Sequence, residues 1–64
     1  MKGRQFRGML AQKDMTVEEL AARMGISCTS LNDRIRGRSR WTWEEVKNAC
    51  EVLHLDYADC ALYF

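Results

Sequence analysis

An all-α domain of five short helices is the fold class that the sequence predicts, and three observations lead there. The 64-residue chain has no proline and only four glycines, and its few β-branched residues offer little to a sheet. Apolar residues recur at helical period in one segment after another, without sustained alternation. A Thr, Ser or Asp stands ahead of an apolar stripe at Thr16, Ser27, Thr42 and Asp56, which is helix-start chemistry. The length admits one small domain, so residues 1–64 are expected to form a single unit. A barrel of alternating strands and helices needs about 250 residues and is excluded. A hydrophobic fraction of 47% places the chain clear of disorder.

The elements follow in order. Phe6, Met9 and Leu10 mark the inward stripe of a first helix over residues 4–13. Thr16 with Glu19 forms a capping box, and Met15 and Leu20 occupy the staple positions on either side. Val17, Leu20, Ala21 and Met24 then fall on one face, and Gly25 stands where a left-handed residue ends the second helix. Ile26 alone separates Gly25 from the next cap, Ser27. Cys28, Leu31 and Ile35 define a third helix over residues 28–36, closed by Gly37. After the linker Arg38-Ser39-Arg40, Thr42 and Glu45 repeat the capping box, with Trp41 and Val46 as the staple. Trp43, Val46, Ala49, Cys50 and Leu53 carry the fourth helix to His54. Asp56 caps a last short helix whose inward candidates are Tyr57, Cys60, Ala61 and Phe64.

Two short helices joined by about three residues that include a glycine make a helix-turn-helix, here over residues 16–36. Ala21 is small where the third helix must come close. Such a pair braces one helix so that its outer face can enter a DNA major groove. Net charge does not point to a polyanion, since 10 Lys and Arg stand against 9 Asp and Glu for +1 overall. Its distribution does. Residues 1–13 carry four bases and no acid, and residues 34–40 carry Arg34, Arg36, Arg38 and Arg40 and no acid. Residues 14–33 and 41–64 are acidic, which restrains nonspecific binding.

At Thr16-Val17-Glu18-Glu19-Leu20-Ala21-Ala22-Arg23-Met24-Gly25-Ile26-Ser27 the chain resembles the lambda-repressor-like (Cro/CI, XRE-type) helix-turn-helix family. That family typically shows T-x-x-x-L-A-x-x-x-G-[IV]-S, followed by a recognition helix ending in glycine. Gly37, the basic linker and a fourth helix opening at Thr42 extend the likeness over roughly residues 4–56. The resemblance implies a compact five-helix DNA-binding domain of a bacterial or phage transcription regulator, often dimeric. Val17 departs from it, standing where a long polar residue commonly meets phosphate. Arg34 departs too, filling a position that is usually apolar, so that Ile35 turns inward instead.

On the third helix Ser27, Thr29, Ser30, Asn32, Asp33 and Arg36 are the candidates to meet DNA. Asn32 suits an adenine edge and Asp33 a cytosine amine, although Asp33 repels phosphate. Arg38 and Arg40 are assigned to phosphates, with Arg4, Arg7, Lys13 and Thr16 as weaker contacts. The bland readings stand beside these. Thr16 and Thr42 are foremost caps, the arginine run suits a solvated loop, and Trp41 and Trp43 suit core or staple positions. His54 suits a helix end, and Tyr63 and Phe64 suit either the core or a dimer seam.

No nucleophile in a glycine turn, no second histidine and no spaced carboxylate pair supports an enzyme. Three cysteines and His54 make a zinc site arithmetically possible, but no paired knuckle occurs. Cys28, Cys50 and Cys60 are therefore expected to be buried free thiols. No apolar run approaches the roughly 18 residues of a membrane span, and the basic start lacks a signal-peptide core of about 7–15 apolar residues. The expectation is a cytoplasmic repressor-like module that binds double-stranded DNA, with a possible homodimer and no metal, cofactor, membrane or small-molecule ligand. The other class of reading is a protein-interaction module, antitoxin-like or a phage regulatory partner, that reuses the same fold.

Overall fold

The computed structural model describes residues 1–64, apart from the side chain of Tyr57. Five helices follow one another: α1 (Gly3–Gln12), α2 (Val17–Met24), α3 (Cys28–Ile35), α4 (Trp43–Leu53) and α5 (Tyr57–Tyr63). The first begins one residue earlier than its apolar stripe indicated, and the third ends one residue earlier, with Arg36 as its C-cap.

Starts are set by side-chain oxygens. Thr16, Ser27, Thr42 and Asp56 each accept the backbone N–H three residues on, satisfying a donor that the helix leaves open. At Thr42 the box is reciprocal, since Glu45 Oε1 accepts from the Thr42 N–H at 2.9 Å. Ends are set by the backbone. Asp14, Gly25, Gly37 and His54 all have positive φ, and the next residue's N–H turns back onto the helix. Met15 donates to the Leu10 carbonyl, Ile26 to Ala21, Arg38 to Asp33 and Leu55 to Cys50, at 2.8–3.1 Å. Each of these is a Schellman-type closure. His54 thus closes α4 through its backbone conformation.

Phe6, Leu20, Leu31 and Leu53 are fully buried, and Met9, Leu10, Ala21, Met24, Ile35 and Ala49 complete the core around them. α2 packs on both α3 and α4, while α5 lies against α1 and α4. Asn48 on α4 donates through Nδ2 to the Met24 carbonyl at 3.1 Å, which locks the end of α2. An aromatic group covers Phe6 from one side. Trp41, Tyr63 and Phe64 meet it edge-on, with centroids at 6.2, 6.2 and 5.6 Å. Trp41 also donates through Nε1 to Met1 Sδ at 3.1 Å.

Three expectations are corrected. Ala61 faces solvent on α5, whereas Tyr63 and Phe64 pack on the core. Trp43 is 62% exposed, because the first helical position of α4 sits outside the stripe that Ala49, Cys50 and Leu53 bury. Cys50 and Cys60 are not free thiols: a disulfide joins α4 to α5, brought together because both point into the same α4–α5 seam. Only Cys28 remains free. Among the described residues no group of His, Cys, Asp or Glu is placed to hold a metal ion. The expected inward position of Tyr57 lies outside the described residues.

Candidate nucleic-acid interface

Gly25, Ile26 and Ser27 join α2 to α3. The left-handed Gly25, at φ 77°, reverses the chain sharply, and Ile26 packs beneath it. Leu31 and Ile35 anchor α3 from below, so its opposite side faces outward. Thr29 and Arg36 are exposed there, and Ser30, Asn32 and Asp33 are half-buried on the shoulders.

Several of these side chains already have partners. The Ser27 hydroxyl accepts from the Ser30 N–H at 3.1 Å and donates to Ser30 Oγ at 2.8 Å. Asn32 Nδ2 reaches Cys28 Sγ at 3.5 Å, a weak contact that leaves its carbonyl oxygen uncommitted. Asp33 serves the linker, since its carbonyl accepts the N–H groups of Arg38 and Ser39 at 2.8 and 3.3 Å. Its carboxylate lies 4.0 Å from Arg38 Nη1, which offsets part of its repulsion of phosphate.

The four arginines of residues 34–40 are not equivalent. Arg34 turns inward. Its Nη1 donates to the Ser30 carbonyl at 2.9 Å, and its Nη2 pairs with Glu45 Oε2 at 2.7 Å. Both side chains are about one-fifth exposed, 21% and 18%, and the buried Arg34 Nε has no protein partner. Arg34 is therefore a strut between α3 and the start of α4, and of the four only Arg36, Arg38 and Arg40 are exposed. Glu45 is held below the usual carboxylate value of 4.5, first by the Thr42 N–H and then by Arg34 and the Thr42 hydroxyl, with burial opposing them.

The N-terminal bases join this set through a close approach. A Cβ on Gly3 would sit 2.7 Å from the Ile35 carbonyl oxygen, so only glycine lets the start of α1 abut the end of α3. Arg4, Arg7 and Arg36 consequently surround one shallow depression of about 290 Å³. Lys13, the C-cap of α1, lies about 9 Å along the axis beyond Arg7 at the rise of a helix and does not line this depression. Thr16 is exposed, with its hydroxyl engaged by Glu19.

Sequence reasoning missed the Arg34–Glu45 strut, the Asn48 lock and the disulfide. The one hint of the strut was the apolar register, which already assigned Ile35 rather than its neighbour to the core.

Among the described residues no helix is long and apolar enough to cross a membrane. No curated protein and no solved structure matches the chain significantly. A family profile does: that of the Cro/C1-type HTH DNA-binding domain, over residues 5–61. With a braced α2–α3 pair, an outward α3 face and two basic segments meeting beside it, the chain belongs to the Cro/C1-type helix-turn-helix DNA-binding domain family.

Proposed function

We propose that the chain is a transcriptional regulator that binds a specific double-stranded DNA sequence, with α3 lying in the major groove. Ser27, Thr29, Ser30, Asn32, Asp33 and Arg36 face the base edges. Arg38 and Arg40, joined by Arg4 and Arg7, hold the flanking phosphates, with Lys13 and Thr16 as outer contacts. The observation that carries this reading is the meeting of Arg4, Arg7 and Arg36 at the end of an outward-facing α3. Surface acids elsewhere keep the molecule from adhering to any polyanion. A single module of this size grips few phosphates, so two copies on half-sites about one DNA turn apart complete the reading. Repression from a bacterial or phage operator, in the cytoplasm, is the role that fits.

Selection from a random duplex library, with sequencing of the bound pool, tests it. A defined motif is expected. With three to five phosphates neutralised, log K falls against log salt with a slope of about −3 to −4.5. Arg38→Ala lowers affinity for all duplexes alike and reduces that slope by about 0.9. Asn32→Ala changes the selected motif. A flat salt response, or an unenriched pool at low salt, sinks the proposal.

A further inference from the structure

The disulfide joins α4 to α5, outside the helix-turn-helix, yet a chain of contacts leads from it to the basic cluster. α5 has seven residues, too few for a stable helix on its own. Cys60 is its one buried side chain among the described residues, while Leu62 is 56% exposed. Among the described residues, Tyr63 and Phe64 also pack against the core, and a backbone hydrogen bond ties the end of α5 to the start of the chain. In that bond the Tyr63 carbonyl accepts the Lys2 N–H at 2.9 Å. The Lys2 carbonyl in turn accepts the Phe6 N–H at 2.9 Å, in the first turn of α1. Gly3, Arg4 and Arg7 follow directly, against the end of α3. On its other side Phe64 meets the Trp41 ring at 4.7 Å, and Trp41 is the residue after Arg40. The end of one short helix therefore touches both the start of α1, ahead of Arg4 and Arg7, and the residue that follows Arg40.

The covalent link secures that helix. Cys50 and Cys60 have Cα atoms 6.6 Å apart, within the span a disulfide bridges. A crosslink between residues ten apart removes much of the freedom that α5 gains on undocking. In a reducing compartment such a bond is typically transient and redox-sensing.

We propose that Cys50–Cys60 is a reversible thiol–disulfide site whose oxidation state sets the grip of the basic cluster on DNA. The disulfide form holds α5, and through it the start of α1 and the linker, in place. The dithiol form lets α5 undock. The oxidant is a low-molecular-weight disulfide such as glutathione disulfide. One cysteine thiolate attacks it, forming a mixed disulfide and expelling one thiolate. The second cysteine then attacks the mixed disulfide, forming the Cys50–Cys60 bond and expelling the other thiolate. Two electrons pass from the cysteine pair to the reagent, and the two thiol protons end on the two expelled thiolates. Each cysteine is only 7% exposed, so exchange proceeds through opening of α5.

The consequence for DNA rests on the proposed function, and the test separates the two. The whole chain is equilibrated in reduced and oxidised glutathione at defined ratios. Amide hydrogen exchange is followed at Lys2, Cys60 and Phe64, alongside affinity for the selected duplex. In the dithiol form these amides are expected to exchange at least about tenfold faster, given the loop closed by the bond, and affinity to fall severalfold. The variant Cys50→Ala/Cys60→Ala is expected to match the dithiol form at every ratio. Wild-type chain reduced by dithiothreitol supplies the same comparison if that variant does not fold. Equal exchange in both forms overturns the proposal, as does a redox response that persists in the double variant, which assigns it to Cys28. Absence of DNA binding in both forms refutes the DNA reading, while the exchange contrast still decides whether the Cys50–Cys60 bond holds α5.

Discussion

α3 and α5 are both short, eight and seven residues, and neither would persist alone, yet the molecule holds them by different means. α3 is anchored from beneath by Leu31 and Ile35, 0% and 3% exposed, and from its flank by Arg34 on Glu45. Apolar burial of that kind is present under all ordinary conditions. Among the described residues α5 fully buries only Cys60, and it is tied by a covalent bond, the Lys2–Tyr63 backbone hydrogen bond and the packing of Tyr63 and Phe64. α3 is thus held by apolar burial and an ion pair, and α5 by a crosslink that the proposed redox site makes conditional. On the proposed DNA reading, specificity and grip then reside in parts of the molecule with different sensitivities.

The sharpest way to break this comparison is to empty one anchor in each region. Leu31→Ala removes a fully buried side chain and is expected to cost about 2–5 kcal/mol, a large share of the stability of so small a domain. Leu62→Ala, on the exposed side of α5, is expected to stay within about 0.5 kcal/mol of wild type. Urea denaturation measures both. A Leu62 loss comparable to that of Leu31 would mean that α5 is packed as firmly as α3.

The Arg34 strut gives the next effect. Arg34→Ala leaves Glu45 partly buried without its cation and is expected to destabilise by about 1–3 kcal/mol. Affinity for DNA per folded molecule is expected to change little. Arg38→Ala should do the reverse, because its side chain is 69% exposed and its ion pair with Asp33 contributes little. A weaker DNA complex without lost stability in Arg34→Ala would make Arg34 a DNA contact rather than a strut.

Acid sharpens the same contrast. The folded state lowers the Glu45 pKa from its ordinary value of 4.5, so folding favours the ionised carboxylate. That contribution is complete above about pH 4.5 and is lost as the pH falls through the folded-state pKa. Stability followed by thermal melts from about pH 6 downward is expected to decline in this window, as a pH scale set by carboxylate titration requires. In Arg34→Ala the decline should be shallower without vanishing, because the Thr42 N–H, the largest cause of the shift, remains. An unchanged acid profile in that variant would show that the strut carries no electrostatic stabilisation.

These side chains also show which features of the fold were legible in the sequence. Caps at Thr16, Ser27, Thr42 and Asp56, and stops at Gly25 and Gly37, act on atoms within a few residues of themselves, so spacing alone discloses them. The α3 stripe of Leu31 and Ile35 was legible for the same reason, and with it the outward face. Arg34 was not. It sits in a run of alternating arginines, and only the arrival of Glu45 from the next helix separates it from Arg36. The disulfide, the Asn48 lock and the Phe6 aromatic cover were hidden similarly, since each joins residues from separate helices whose crossing angles no local spacing encodes. The convergence of Arg4 and Arg7 on Arg36 depends on the bare backbone at Gly3, which as a lone glycine near the start gave no sign of a close approach.

A small expected gain concerns the helix ends, where four closures of one type divide into two kinds of residue. Gly25 and Gly37 lie on either side of α3, and Asp14 and His54 close α1 and α4. A side chain in the left-handed region carries a conformational penalty that glycine avoids. Asp14 and His54 are exposed, so replacing them sacrifices little packing. Asp14→Gly and His54→Gly are each expected to stabilise the fold by about 0.5–1 kcal/mol, even after the unfolded chain gains some freedom. That corresponds to a melting point higher by about 2–8 °C in a domain of this size. Gly25→Ala should do the opposite. Its added methyl would meet nothing within 4 Å beyond the adjoining residues, so the strain lies in the backbone at φ 77° rather than in a clash. If His54→Gly destabilises instead, the imidazole contributes more to the end of α4 than its exposure indicates, and side chain rather than backbone governs that closure.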